Sequence, residues 1–204
     1  MSDKSLTVFI VDDDHAVRDS LADLIDSVGL NTETYPSAQD FLTDYTPDRC
    51  GCLVLDIRMP GMSGLELQDE LVRRGASLPI IFITGHGDIP MAVQAMRLGA
   101  YDFIQKPFRE QELLDRINKA LESGIEKRLL QLEYQTVKAH IQTLTPREKE
   151  VMDMIVTGKP NKVIAIDLGL SQRTVEVHRA NVMDKLQVHS LADLVRLVTR
   201  AGLA

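Results

Sequence analysis

The chain has 204 residues, 44% of them hydrophobic and 26% charged, with a net charge of −7. That length suits two modest domains or one large one, and the balance excludes disordered and fibrous chains. No run of about 18 apolar residues occurs, and the first residues lack the charged-then-apolar pattern of a signal sequence, so a cytoplasmic protein with no membrane partner is expected. Cys50 and Cys52 are too few for a disulfide framework and are expected as reduced thiols. The charge is uneven: residues 1–122 carry 11 Lys+Arg against 21 Asp+Glu, net −10, and residues 123–204 carry 12 against 9, net +3. Only the second part is suited to meeting a polyanion.

In chain order, Thr7–Val11 reads as a buried strand running into Asp12 and Asp13. Val17, Leu21, Leu24, Ile25 and Val28 then recur at helical spacing, and Gly29 stops that helix. Leu53-Val54-Leu55 is a second apolar strand, ending at Asp56. Ser63, with Glu66 three residues on, is a capping box that opens another helix. Residues 80–83 form a strand ending at Thr84, residues 91–98 a helix up to Gly99, and Asp102–Gln105 a last short strand before Lys106-Pro107. Strands near positions 7, 31, 52, 80 and 102, each followed by a helix, predict an α/β fold with a five-stranded parallel sheet.

From about residue 111 to residue 140 the pattern stays helical, with Leu114, Ile117, Leu121, Ile125, Leu129 and Leu132 at steps of three or four. Gly124 interrupts it. Two readings follow: a terminal helix with a loose linker, or one long helix whose second half can pair with a copy of itself. Beyond it the chain reads as all-helical. Thr145 and Glu148 form a capping box with Pro146 at the first helical position. Gly158 and Pro160 end that helix, Asn161 caps a second ending near Gly169, Ser171 caps a third running to about Leu186, and Ser190 starts a fourth. The second and third, joined by a tight turn, predict a helix-turn-helix.

The strand ends of an open parallel sheet gather on one edge, where ligands bind. Asp12, Asp13, Asp56, Thr84 and Lys106 would meet there. Three carboxylates that close repel, so a positive group is expected among them. A hard divalent cation, Mg²⁺, suits such oxygen ligands: Asp12, Asp13 and Asp56, with the backbone carbonyl of Arg58 as a further donor. Asp56 is placed as a nucleophile able to form an acyl phosphate, Lys106 to contact phosphoryl oxygens, and Thr84 to offer a hydroxyl to the new phosphate. Asp14 is a third acid, suited to the first turn of a helix or to an outer-sphere contact. Taken singly, an Asp at a strand end is an ordinary turn or cap residue; the joint spacing carries the signal.

On the third helix of the second part, Val175, Val182 and Leu186 face inward and Arg173, Val177, Ala180 and Asp184 outward, with Glu176 on the shoulder. In a helix-turn-helix this outer face enters the major groove. Arg173 would reach phosphate or guanine, Val177 and Ala180 a thymine methyl, and Glu176 a cytosine amino group, whereas Lys162 and Lys185 suit phosphates. Glu176 and Asp184 are equally ordinary solvated residues, and His178 a packed or flanking one. From Thr145 onward only nine basic side chains stand against seven acidic ones, so one such unit is expected to bind DNA weakly and two to do so better.

The stretches Val11-Asp12-Asp13-Asp14, Leu55-Asp56-Ile57-Arg58-Met59-Pro60-Gly61, Thr84-Gly85-His86-Gly87-Asp88 and Lys106-Pro107-Phe108 resemble the receiver domain of two-component response regulators. Leu144-Thr145-Pro146-Arg147-Glu148, Asn161-Lys162-Val163-Ile164-Ala165 and the stretch from Arg173 to Met183 resemble the LuxR-type DNA-binding domain. Together the chain is similar to the FixJ subfamily. The resemblance implies a receiver over residues 1–122, a helical linker over 123–143 and a four-helix DNA-binding domain over 144–204. It implies phosphorylation of Asp56 by a sensor histidine kinase, with Thr84 and the aromatic Phe103 as a switch pair; Tyr101 is the rival aromatic. It further implies Mg²⁺ as cofactor, a homodimer when phosphorylated, and contact of Lys162, Arg173, Thr174, Glu176, Val177, His178, Arg179, Ala180 and Lys185 with promoter DNA. The expected outcome is regulated transcription, usually activation, with RNA polymerase as a further partner. A turnover phosphatase needs an acid two residues beyond Asp56, where Arg58 stands, so the chain is not expected to be an enzyme. A ligand-gated regulator would need an apolar pocket at the polar strand ends.

Overall fold

The computed structural model describes residues 6–47, 49–85 and 89–200. It divides into two units, at Arg128 and Leu129.

In the first unit, β1 (Thr7–Val11), β2 (Asn31–Tyr35), β3 (Gly51–Asp56), β4 (Ile80–Thr84) and β5 (Asp102–Gln105) alternate with α1 (His15–Ser27), α2 (Ala38–Asp44), α3 (Gly64–Arg73), α4 (Ile89–Arg97) and the first part of α5 (Glu110–Gln142), a helix that continues past Arg128 into the second unit. The strands pair in parallel in the order β2-β1-β3-β4-β5. Successive strand side chains point to opposite faces, which explains why whole apolar runs are needed. Phe9, Val11, Leu53, Leu55, Ile80 and Phe82 pack with Phe41, Leu67, Leu71 and Ala95 of α2, α3 and α4. Val8, Ile10, Cys52, Val54, Ile81 and Ile83 pack with Leu21 and Ile25 of α1 and Leu113 and Ile117 of α5. Both faces are covered, as parallel sheets require. Burial in the second cluster pushes the Cys52 thiol up to about 12, and neither cysteine is in a disulfide.

The order places the topological switch between β1 and β3, and a crevice opens beyond their C-terminal ends. Asp12 and Asp56 flank it. α3 begins against the Asp56 turn, and a Cβ at Gly64 would lie 2.3 Å from the Asp56 carbonyl oxygen. Only glycine lets the helix start there. The Ser63–Glu66 capping box fixes that start.

α5 is one helix of 33 residues and runs without a break through Gly124. No described helix is long and apolar enough to cross a membrane.

The second unit holds α6 (Pro146–Val156), α7 (Asn161–Leu168), α8 (Gln172–Lys185) and α9 (Leu191–Arg200) around a core that includes Val151, Ile155, Ile164, Val175, Val182, Leu186, Leu194 and Val198. Thr145 and Glu148 make the expected capping box with Pro146 in the first turn, and Ser171 caps α8. α7 differs from expectation: Pro160 holds the cap position with no side-chain bond, and Asn161 is the first helical residue. Its side-chain oxygen is taken by Arg179 Nη1 at 3.2 Å instead. The turn into α8 passes through Gly169 at φ 65°, a left-handed conformation that glycine adopts without strain.

Candidate functional site

The β1 and β3 ends bring Asp12 and Asp56 to a single cation. Lys106 Nζ lies 3.2 Å from Asp12 Oδ2 and 3.3 Å from Asp56 Oδ1. Lys106 follows β5, and its backbone N–H donates to the Thr84 carbonyl at 2.7 Å, which sets the side chain at the crevice. Lys106 is therefore one positive group set among these carboxylates. Asp12 is buried, and its Oδ1 accepts the Asp14 N–H at 2.9 Å. Asp56 Oδ2 accepts the Arg58 N–H at 2.7 Å. Burial raises the Asp56 carboxyl above its usual range, Lys106 and the Arg58 N–H oppose this, and Asp12 adds to it. Burial alone would lower Lys106, but Asp12 and Asp56 outweigh it and hold the ammonium above its ordinary value. Both directions describe a desolvated charge cluster that favours partners of opposite sign.

Asp13 is exposed next to this pair. Asp14 stands one residue ahead of the first turn expected for it: it is the N-cap of α1, accepting from the Ala16 and Val17 N–H groups. Among the described residues no three His, Cys, Asp or Glu side chains form a ready metal cluster. Thr84 is 3% exposed, and its hydroxyl donates to the Ile104 carbonyl on β5 at 3.3 Å. Phe103 is 36% exposed, whereas Tyr101 is partly buried against the second cluster. Val93, Met96 and Leu98 are exposed as well. His86, Gly87 and Asp88 lie outside the described residues.

Sequence reasoning missed Arg18. Its Nη1 donates to the Asp12 carbonyl at 2.6 Å, steadying the acidic loop from within α1.

On α8, Val175 and Val182 are buried, and Arg173, Glu176, Val177 and Ala180 lie exposed on the opposite face. Val177 is 54% exposed, an apolar side chain left bare on a polar face. Lys162 on α7 is exposed too. Thr174 is half-buried and shares a 2.8 Å hydrogen bond with Ser171. His178 is half-buried, and its Nδ1 has no partner among the described residues. Arg179 holds Asn161. Lys185 is engaged inside the unit, with Nζ 2.6 Å from Glu148 and 3.5 Å from the Thr143 carbonyl. That ion pair and the Thr145 N–H depress the Glu148 carboxyl to about 2.

Residues 8–118 match the response regulator receiver domain, and residues 142–198 match the bacterial regulatory proteins of the luxR family. The chain is 46% identical to the response regulator protein TodT of Pseudomonas putida strain F1, over 98% of this chain and 88% of that one. It is 47% identical to the transcriptional regulatory protein FixJ of Azorhizobium caulinodans, over 98% and 95%. The solved structure of the response regulator StyR superposes with TM-score 0.86 at 48% identity, covering 96% of this chain and 99% of StyR. Full-length FixJ from B. japonicum gives TM-score 0.58 at 42% identity, over 97% and 98%. With a five-stranded receiver carrying Asp56 and Lys106 and a helix-turn-helix behind it, the chain belongs to the two-component response regulators with a LuxR-type DNA-binding domain, and it is a transcriptional regulator.

Proposed function

We propose that Asp56 is the phosphoacceptor and that its phosphorylation by a sensor histidine kinase controls promoter binding. The observation that supports this most is Lys106 bridging Asp12 and Asp56 at the sheet edge. A carboxylate oxygen of Asp56 attacks phosphorus of the donor phosphohistidine. A P–O bond forms, the P–N bond breaks, and the imidazole leaves with the electron pair and takes a proton. Lys106 faces the transferred oxygens and neutralises part of their charge. The all-oxygen donor set fits a hard divalent ion: Asp12, Asp13, Asp56 and the Arg58 carbonyl would hold Mg²⁺, which when bound offsets charge on the transferring group. The group is received and held rather than turned over.

The acyl phosphate adds charge and acceptor oxygens in a confined corner. Thr84 leaves the Ile104 carbonyl to donate to the phosphate, and Phe103 turns inward. The face made by α4 and β5, with Val93, Met96, Leu98 and Phe103, then joins a second copy. Two α8 helices presented together read promoter DNA, with Arg173, Glu176, Val177 and Ala180 at base edges and Lys162 on phosphate. Thr174, His178 and Arg179 flank that surface, and Lys185 acts through Glu148. We assign the receiver to residues 1–122, the helical linker to 123–143 and the DNA-binding domain to 144–204. The setting is cytoplasmic, and the outcome is activation through RNA polymerase. Acetyl phosphate with Mg²⁺ tests the reading: the chain should become labelled at Asp56 and self-associate, and labelling at another residue would refute it.

A further inference from the structure

α3 and α4 pack on one another, and their contact contains an amide with only half of its bonding satisfied. Gln68 of α3 is 1% exposed. Leu67 and Leu71 flank it on its own helix and Ala95 lies on α4, all three in one apolar cluster. Gln68 Nε2 donates to the Ala95 carbonyl at 3.1 Å, while Oε1 has no partner among the described residues. The Ala95 carbonyl does not depend on that bond. It also accepts the N–H of Leu98 at 3.2 Å and of Ala100 at 3.0 Å, the bonds that close the end of α4.

A buried acceptor left unpaired is penalised by more than one ordinary hydrogen bond contributes. An apolar side chain of the same size would therefore bind α4 to α3 more firmly than Gln68 does. When α4 moves away, water reaches Oε1 and the penalty vanishes, so the amide disfavours the resting contact specifically. We propose that Gln68 is a positioning residue that keeps α4 ready to move: Nε2 fixes one register at Ala95, and the unpaired Oε1 makes that register easy to leave. This deepens the reading of the α4 and β5 face as the self-association surface and rests on it.

The test uses the full chain with Gln68→Met and Gln68→Leu, which remove donor and acceptor at nearly constant volume. Hydrogen exchange of the segment 92–101 is followed by mass spectrometry, and self-association by sedimentation with and without acetyl phosphate and Mg²⁺. In the variants the Leu98 and Ala100 amides should exchange about tenfold more slowly. The phosphorylated form should self-associate more weakly by a similar factor, with Asp56 labelled as fully as in the wild type. A residue that merely supports the fold gives the opposite sign. Faster or unchanged exchange, or a lower melting temperature, overturns the proposal, and so does slower exchange with undiminished self-association. Absence of self-association in the phosphorylated wild type refutes the surface reading instead, and the exchange result then decides the effect of Gln68 on α4 by itself.

Discussion

The hydroxyl of Thr84 donates to the backbone carbonyl of Ile104 at 3.3 Å, so the ends of β4 and β5 are tied by a side chain that a phosphate at Asp56 would claim. In this arrangement Phe103, one residue before Ile104 on the same strand, stays at the surface. Thr84→Ala should leave Asp56 labelling intact and remove the phosphorylation-dependent part of self-association. Losing one charge-assisted hydrogen bond of about 1.5–3 kcal/mol corresponds to roughly 10- to 150-fold in the dimer equilibrium. Sedimentation with acetyl phosphate reads it, and an unchanged dimer fraction would refute the switch.

Asp56 is destabilised by its own charge. Its carboxyl is raised in the folded chain, so the folded state favours the protonated form, and that advantage is lost as pH rises through the raised value. Asp56→Asn should therefore raise the melting temperature at pH 7, with the gain shrinking toward acidic pH. Thermal unfolding followed by circular dichroism checks both parts. A loss of stability at pH 7 would contradict the charge balance described for the crevice.

Glu148 behaves oppositely. Its carboxyl is depressed from 4.5 to about 2 by Lys185 and the Thr145 N–H. Its contribution is therefore present above pH 4.5 and is lost as pH falls toward 2. Glu148→Gln should destabilise the helical unit at pH 7, and the difference from wild type should narrow across that interval. Melting curves at pH 7, 4 and 3 give the comparison; a constant difference would count against the ion pair.

The two lysines expected on phosphate separate in the same experiment. Lys162→Ala should weaken DNA binding evenly across sequences and lower the salt slope by about 0.9. Lys185→Ala should lower thermal stability, because it leaves the buried Glu148 unpaired, with the salt slope of the folded fraction unchanged. Arg173→Ala and Val177→Ala should instead relax discrimination between base pairs at defined positions, by about 1–3 kcal/mol for a bidentate Arg contact. DNA-binding titrations at several salt concentrations distinguish these effects.

Much of this was legible in sequence because its signals are local. Strand ends, capping boxes at Ser63 and Thr145, and the apolar period of α8 each depend on neighbours within one or two turns, and they fall where expected. Gly124 was legible only as a break, yet α5 continues through it. A Cβ there would lie 3.2 Å from Pro79 and 3.3 Å from the Gly51 carbonyl; the glycine serves a close approach between distant segments, which tertiary packing rewards over the roughly 1 kcal/mol helix penalty. Positions on single helices locate Lys185 and Asn161, but their partners Glu148 and Arg179 come from other elements. Gln68 and Arg18 escaped for the same reason, since the groups they bind are set by the fold.

The most direct test of the central claim is the mass of the intact chain after treatment with a cognate phosphodonor and Mg²⁺, followed by mapping of the peptide that carries residue 56. The account predicts the gain of one phosphoryl group on that peptide, lost in Asp56→Asn and in the presence of excess chelator. A chain that gains no mass there, or that is labelled equally well without Asp56, would contradict it.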